Sequence, residues 1–184
     1  MTEKEKMSSR QLYIAETEEL IGERNRAKDL CHAYNALLPS DTSSRDALIR
    51  KIIGKAGRVV NIIAPFWCDY GYNIEVGENF FANHNTVILD CAKVTFGDNV
   101  FIAPDCGFHT AGHPVDAKRR NAGLEYAYPI TVGNDVWFGA GVQVMPGVTI
   151  GNDVVIGAGS IVVHDIPDHS VAVGNPCRVI RKTT

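Results

Sequence analysis

Two histidines, His109 and His113, stand four residues apart in a stretch that also carries Lys118, Arg119, Arg120, Glu125 and Tyr126. An imidazole titrates near neutrality, so it can take a proton from a weakly acidic hydroxyl and hand it on later in the same cycle. His113 precedes Pro114, which biases its backbone toward an extended conformation and makes it a fixed mount rather than part of a helical face. A second concentration of charge, Arg178-Val179-Ile180-Arg181-Lys182, offers cations either to a phosphate or to solvent. With His84 as a third nitrogen the histidine pair would suggest zinc. Zinc needs three converging ligands, however, and this spacing matches no such motif, so proton transfer is the better reading and no metal is expected.

These residues need a framework, and the glycines indicate which kind. The chain has 184 residues and 17 glycines, of which only Gly22 precedes Gly54. Charges lean the other way: 20 of the 39 Asp, Glu, Lys and Arg residues fall in the first 60 positions. Residues 1–55 read as helices, with Leu20, Ala27, Leu30, Cys31 and Tyr34 at helical spacing and a second stripe at Leu48, Ile49, Ile52 and Ile53. From about residue 74 the period becomes six. Val132, Phe138, Val144, Ile150, Ile156 and Val162 repeat at that interval, as do Ile130, Val136, Val142, Val148 and Val154 two places earlier. Gly133, Gly139, Gly151 and Gly157 follow the bulky position, and Phe96, Ile102 and Phe108 continue the phase upstream. Val76, Ala82 and Ile88 repeat in a phase shifted by two, which predicts a small insertion near Cys91–Lys93.

A hexapeptide period is the signature of a parallel β-helix, in which each unit forms one flat side of a coil and bulky residues stack down the axis. The glycines are expected at its corners, some at positive φ. An open coil end must be covered, and the polar N-terminal helices suit that task. Residues 109–129 lack the period while the phase agrees on both sides, so they form an insertion on one coil; long insertions of this kind tend to be functional. The expected organisation is therefore a helical cap over 1–55 and a β-helix over 56–184 with one extruded loop.

Composition bounds the rest. Apolar residues make up 45% and the net charge is only −3, which argues for a real core and against a disordered or nucleic-acid-binding chain. No run approaches 18 apolar residues and no apolar segment follows the charged N-terminus, so neither a membrane span nor a secretory signal is expected. Five cysteines, odd in number and without C-x-x-C, read as reduced thiols in a cytoplasmic protein.

Several segments together carry a resemblance. They are Cys68-Asp69-Tyr70-Gly71-Tyr72-Asn73-Ile74, Phe80-Phe81-Ala82-Asn83, Gly112-His113-Pro114-Val115-Asp116, Asn134-Asp135-Val136-Trp137-Phe138-Gly139 and Gly174-Asn175-Pro176-Cys177-Arg178-Val179-Ile180. In order and spacing they resemble the maltose/galactoside O-acetyltransferase family, and Glu3-Lys4-Glu5-Lys6-Met7 with Leu12-Tyr13 is similar to its maltose branch. The resemblance implies a mainly β, left-handed parallel β-helix and a homotrimer with active sites between subunits. It also implies acetyl transfer from acetyl-CoA to a hydroxyl of a sugar such as maltose or glucose. His113 then corresponds to the catalytic base and Asn83 to an amide that stabilises the oxyanion. Asp69, Asn83, Glu125 and Arg24 fall on the acceptor side, where Glu125 could also orient the imidazole. Trp137, Ala140, Ala158, Val163, His164, Arg178 and Arg181 fall on the CoA side.

Departures carry their own expectations. Val163-His164-Asp165 stands where relatives have Thr-Lys-Asp, which removes a hydroxyl and a permanent cation and predicts weaker, pH-dependent acetyl-CoA binding. Ala15 and Cys91 replace acids of the galactoside branch; Glu16 or Glu18 could substitute, with solvated helix surface the better reading for both. A xenobiotic- or serine-type acceptor is the alternative on the same solenoid, followed by a non-catalytic scaffold and a metal-dependent γ-carbonic-anhydrase-like protein.

Overall fold

The computed structural model describes residues 1–184. Three helices come first. α1 (Glu3–Ser8) opens on a capping box in which the Thr2 hydroxyl accepts from the Glu5 amide and the Glu5 carboxylate accepts from the Thr2 amide. Thr17 caps α2 (Glu18–Asn35) and Asp41 caps α3 (Thr42–Ile52). The apolar stripe is the face they bury: Leu20, Ala27, Cys31 and Tyr34 from α2, Ile49 and Ile52 from α3.

From Lys55 the chain winds into a parallel β-helix of three faces. The first face stacks Lys55–Ala56, Ile74–Val76, Val94–Phe96, Ile130–Val132 and Thr149–Ile150. The second stacks Val60–Ile62, Phe80–Ala82, Val100–Ile102, Val136–Phe138, Val154–Ile156 and Ser170–Gly174, and Cys177–Lys182 folds back antiparallel on its end. Phe66–Cys68, Thr86–Leu89, Gly107–His109, Gln143–Val144 and Ile161–Val162 make the third. The period-six residues point inward. Phe80, Phe96, Phe108 and Phe138 form an axial ladder with ring centroids 5.2, 4.9 and 5.2 Å apart, and each such pair adds about 0.5–1.5 kcal/mol beyond its burial.

The helices close the open end of this column. Ala27, Cys31, Tyr34, Ile49 and Ile52 belong to the same apolar cluster as Ile62, Phe66 and Cys68. Asn35 donates to the Phe66 carbonyl at 3.0 Å and accepts from its amide at 2.9 Å, pairing an edge that would otherwise recruit another strand. All five cysteines are buried free thiols, and Cys31 and Cys68, 37 residues apart in sequence, meet at 3.6 Å across this seam.

One expectation needs correction and another needs detail. The repeat begins one coil earlier than residue 74: Ala56, Ile62 and Cys68 are in register with Val76, Ala82 and Ile88. Some corner glycines take positive φ as expected, Gly141, Gly147 and Gly159 among them, but those that follow the bulky position, Gly133, Gly139, Gly151 and Gly157, do not. Asn79, Asn85, Asn99, Asp105, Asp135 and Asp153 take positive φ at the corners, whereas Gly139 has ordinary backbone angles but no room. A Cβ there would lie 2.5 Å from the Ala158 nitrogen of the next coil.

The third corner, between the third strand of one coil and the first of the next, is where the geometry departs from regularity. Val136 pairs with Val154, eighteen residues on, but Ile74 pairs with Val94, twenty on. The extra pair lies in the turn between Leu89 and Val94, as the phase shift predicts. Coil three carries the long insertion at the same corner. It is ordered rather than structureless: Ala111–Gly112, α4 (Ala117–Asn121) and Leu124–Ala127, whose last strand lies between Ala111–Gly112 and the N-terminal strand Tyr13–Ile14. Ile130 then pairs with Val94 thirty-six residues back, a multiple of six, which is why the phase survives.

Candidate active site

The widened third corner, the inserted strands and the start of α2 enclose a cavity of about 280 Å³. Its walls include Ala15, Glu16, Arg24, Asp69, Cys91, His113 and Glu125. Asp69 leaves the strand Phe66–Cys68 into a turn held from below by Asp90, a fully buried carboxylate. Asp90 accepts from the amides of Asp69 at 3.0 Å, Tyr70 at 2.8 Å and Asn73 at 3.3 Å. Burial, with the nearby Asp69 charge, pushes the Asp90 carboxyl up to about 6 against the pull of those amides. Gly71 makes the turn with φ 77°, where a Cβ would strike the Ile52 carbonyl.

His113 is mounted on the insertion. Gly112 before it pairs with Tyr126, and a side chain at 112 would overlap the Tyr126 ring at 2.4 Å, so only glycine leaves space for that phenol. The His113 Nδ1 lies 3.3 Å from the Leu124 carbonyl, which fits an Nδ1–H donor and leaves the Nε2 lone pair free to accept a proton. Nε2 lies 3.9 Å from Glu125 Oε1, and the ring is half exposed toward the cavity. The other Glu125 oxygen accepts from the buried Tyr13 hydroxyl at 2.9 Å. Arg24 reaches from α2 to the Ala15 carbonyl at 2.8 Å, the Tyr70 hydroxyl at 3.1 Å and Glu16 at 2.8 Å, tying the N-terminal segment to the turn after Asp69.

Four of the predicted residues, Asp69, Glu125, Arg24 and His113, therefore meet in one cavity. Glu16, read as helix surface, precedes α2 and lines the cavity too. The others lie elsewhere on the same chain. Asn83 is on the second corner, where its side-chain oxygen accepts from the His84 amide at 2.8 Å. Ala140 and Ala158 occupy that same corner in later coils, both exposed. Trp137 stands exposed on the second face, registered with Phe101. Val163 and His164 follow the third strand of the fifth coil, and Arg178 and Arg181 sit on the terminal hairpin, each donating only to an adjacent backbone carbonyl. The residues that sequence reading passed over as site components are Tyr13, Tyr70 and Asp90, whose partners are distant in sequence. His84 bonds the Ala64 carbonyl and His109 bonds Gln143, and no three His, Cys, Asp or Glu side chains converge on one point.

Comparison with known proteins identifies the family. Residues 6–57 match the maltose acetyltransferase hexapeptide capping motif, and residues 129–164 match the bacterial transferase hexapeptide of six repeats. The structure of a maltose O-acetyltransferase from Clostridium difficile 630 is 50% identical, covers 99% of this chain and 97% of its own, and superposes with a TM-score of 0.98. A galactoside acetyltransferase in complex with coenzyme A is 43% identical over 100% of this chain and 92% of its own, with a TM-score of 0.97. The hexapeptide-repeat acetyltransferase VCA0836 of Vibrio cholerae O1 biovar eltor, complexed with acetyl-CoA, is 36% identical over 100% of both chains, with a TM-score of 0.92. The chain belongs to the maltose/galactoside O-acetyltransferase family of hexapeptide-repeat acetyltransferases.

Proposed function

We propose that the protein transfers the acetyl group of acetyl-CoA to a hydroxyl of a sugar such as maltose or glucose, with His113 as general base. The observation that carries this reading is His113 itself. Its Nδ1 is committed to the Leu124 carbonyl, and its Nε2 faces a cavity whose polar walls include Asp69, Glu125, Glu16 and Arg24. Acid side chains that accept hydrogen bonds suit a polyhydroxyl acceptor. In the transfer, Nε2 takes the hydroxyl proton as the oxygen attacks the thioester carbon. The C–O bond forms, the C–S bond breaks, and the imidazolium returns its proton to the leaving CoA thiolate.

The negative charge on the thioester oxygen needs a donor, for which Asn83 is the candidate. Asn83 and His113 lie on different corners of the prism, so a complete site draws them from two neighbouring copies in a homotrimer. Trp137, Ala140, Ala158, Val163, His164, Arg178 and Arg181 then flank the CoA groove on the copy that supplies Asn83.

Both halves of the proposal can be tested by following CoA release with a thiol reagent over a panel of sugars and other alcohols. His113→Ala is expected to lower kcat about 10²–10⁴-fold. Inactive His113→Ala and Asn83→Ala proteins, dissociated and reassembled together in equal amounts, should recover about a quarter of the sites, because each site needs one particular variant on either side. No recovery would refute the shared site, and no CoA release with any hydroxyl acceptor would refute the reaction.

A further inference from the structure

Tyr13 is a fully buried side chain that touches the acceptor cavity's Glu125, yet it belongs to the N-terminal segment. It sits on the two-residue strand Tyr13–Ile14, directly opposite Glu125 in the antiparallel register. Paired residues share a face, so the ring reaches the Glu125 carboxylate and donates to Oε2 at 2.9 Å. The Cys91 thiol lies beside the same phenol and donates to Asp69 Oδ2 at 3.6 Å. Four side chains from four separate parts of the chain thus form a row, Asp69–Cys91–Tyr13–Glu125, with two of the cavity's three carboxylates at its ends.

Carboxylates only accept, so two of them can face one small cavity only if donors hold each in place. A thiol and a phenol supply those donors without adding charge. Burial pushes both the Tyr13 hydroxyl and the Cys91 thiol far above their ordinary ranges, so neither loses its proton at any pH the protein meets. The strand bearing Tyr13 is itself anchored, since the Ile14 amide donates to Glu3 Oε2 at 2.6 Å.

We propose that Tyr13, with Cys91 behind it, is a positioning residue for acetyl transfer: a neutral spacer that fixes the separation of Asp69 and Glu125. That separation selects acceptors that present hydroxyls to both carboxylates at once. The inference rests on the proposed acetyl transfer at His113. It makes the N-terminal arm part of the acceptor-selecting machinery as well as a cap.

The test is Tyr13→Phe, which keeps the buried ring and deletes only the oxygen. A lost hydrogen bond to a charged group is expected to raise the acceptor KM about tenfold to a hundredfold, while the KM for acetyl-CoA stays within twofold. The double variant Tyr13→Phe/Glu125→Gln should be no worse than Glu125→Gln alone, because the phenol acts through that carboxylate. Circular dichroism establishes that Tyr13→Phe is folded; should it not fold, Cys91→Ala removes the other half of the spacer and is read by the same split of KM values. An unchanged acceptor KM, an equal change in both KM values, or additive effects in the double variant would overturn the inference. If the wild-type protein is active, His113→Ala is inactive and Tyr13→Phe is indistinguishable from wild type, the spacer alone is refuted. A wild-type protein inert toward every acceptor refutes acetyl transfer and the spacer with it.

Discussion

The contact between Gly139 and the next coil allows the tightness of the stack to be put in numbers. An alanine there would hold its Cβ 2.5 Å from the Ala158 nitrogen, 2.9 Å from the Ala158 Cα and 3.1 Å from the Gly157 carbonyl carbon. Ordinary contact begins at 3.4 Å, so the coils must separate locally by about 0.9 Å (3.4 less 2.5), and the obstacle is backbone that cannot rotate away. Two coil-to-coil bonds flank the point, Gly139 N to the Ile156 carbonyl and Gly159 N to the Ala140 carbonyl, each 2.8 Å. Stretched by that amount both pass out of hydrogen-bonding range. At roughly 1 kcal/mol each, with about 1 kcal/mol of residual overpacking, Gly139→Ala should cost ~3 kcal/mol. For a chain of this size that lowers Tm by about 6–12 °C. Gly22→Ala is the control: it lies in α2 with nothing within 4 Å, so the same change should stabilise the protein. The gain is about 0.5–1 kcal/mol, or roughly 1–4 °C. Thermal melts at matched protein concentration read both. If Gly139→Ala melts within 2 °C of wild type, close approach of coils is not what the repeat glycines serve.

Two further outcomes follow from charge. The Lys6 ammonium and the Ile14 amide hold the Glu3 carboxyl below its ordinary 4.5, so the stabilisation it gives is present above that value and is lost as pH falls through the lower folded one. The protection of the Ile14 amide, its exchange rate relative to an unfolded amide at the same pH, should therefore fall in acid, and Glu3→Gln should show the same loss of protection already at neutral pH; a fully protected Ile14 amide in Glu3→Gln would show that the carboxylate does not anchor the strand. On the CoA side, a histidine at 164 provides a cation only when protonated. The KM for acetyl-CoA should rise from pH 5.5 to 8 in the wild-type protein and stay low in Val163→Thr/His164→Lys, whereas a flat wild-type profile would refute the role given to His164.

The part of the fold that sequence reading recovers is the part governed by one repeated cause. Six-residue spacing forces inward residues into columns, so Phe96, Ile102, Phe108, Val132 and Phe138 are recognisable without coordinates. The first coil escapes because its inward residues at 56 and 68 are alanine and cysteine, too small to stand out, and because Ile53-Gly54 just before them reads as the end of a helix. The glycines that follow the bulky position answer to a second constraint, which the period does not separate from the first. A six-residue period marks a corner but does not say whether the constraint there is backbone angle or the distance to the next coil. In this molecule Asn, Asp and the glycines at 141, 147 and 159 take the positive φ, whereas Gly133, Gly139, Gly151 and Gly157 meet the spacing.

Legibility of the site divides along the same line. A break in a period is visible in one dimension, so residues 109–129, and with them His113 and Glu125, declare themselves. Asp90 holds the turn after Asp69 from 21 residues away, and Tyr13 holds Glu125 from 112 residues away. Neither distance has a sequence signature, because the first is set by the length of a coil and the second by where an N-terminal strand docks. Tyr13 and Asp90 both bury completely against the corner that the extra residues widen, and both spend their polar atoms on the groups that form the cavity. The widened corner is thus expensive backbone, with amides turned inward that a regular coil would have paired along its faces. Asp90 is the residue that makes it tenable: without an acceptor beneath them the amides of Asp69, Tyr70 and Asn73 have no partner, and the carboxylate of Asp69 has no fixed direction. The irregularity that opens a cavity in an otherwise closed prism and the buried acid that satisfies it are therefore one structural solution, and a period can reveal only the first of them.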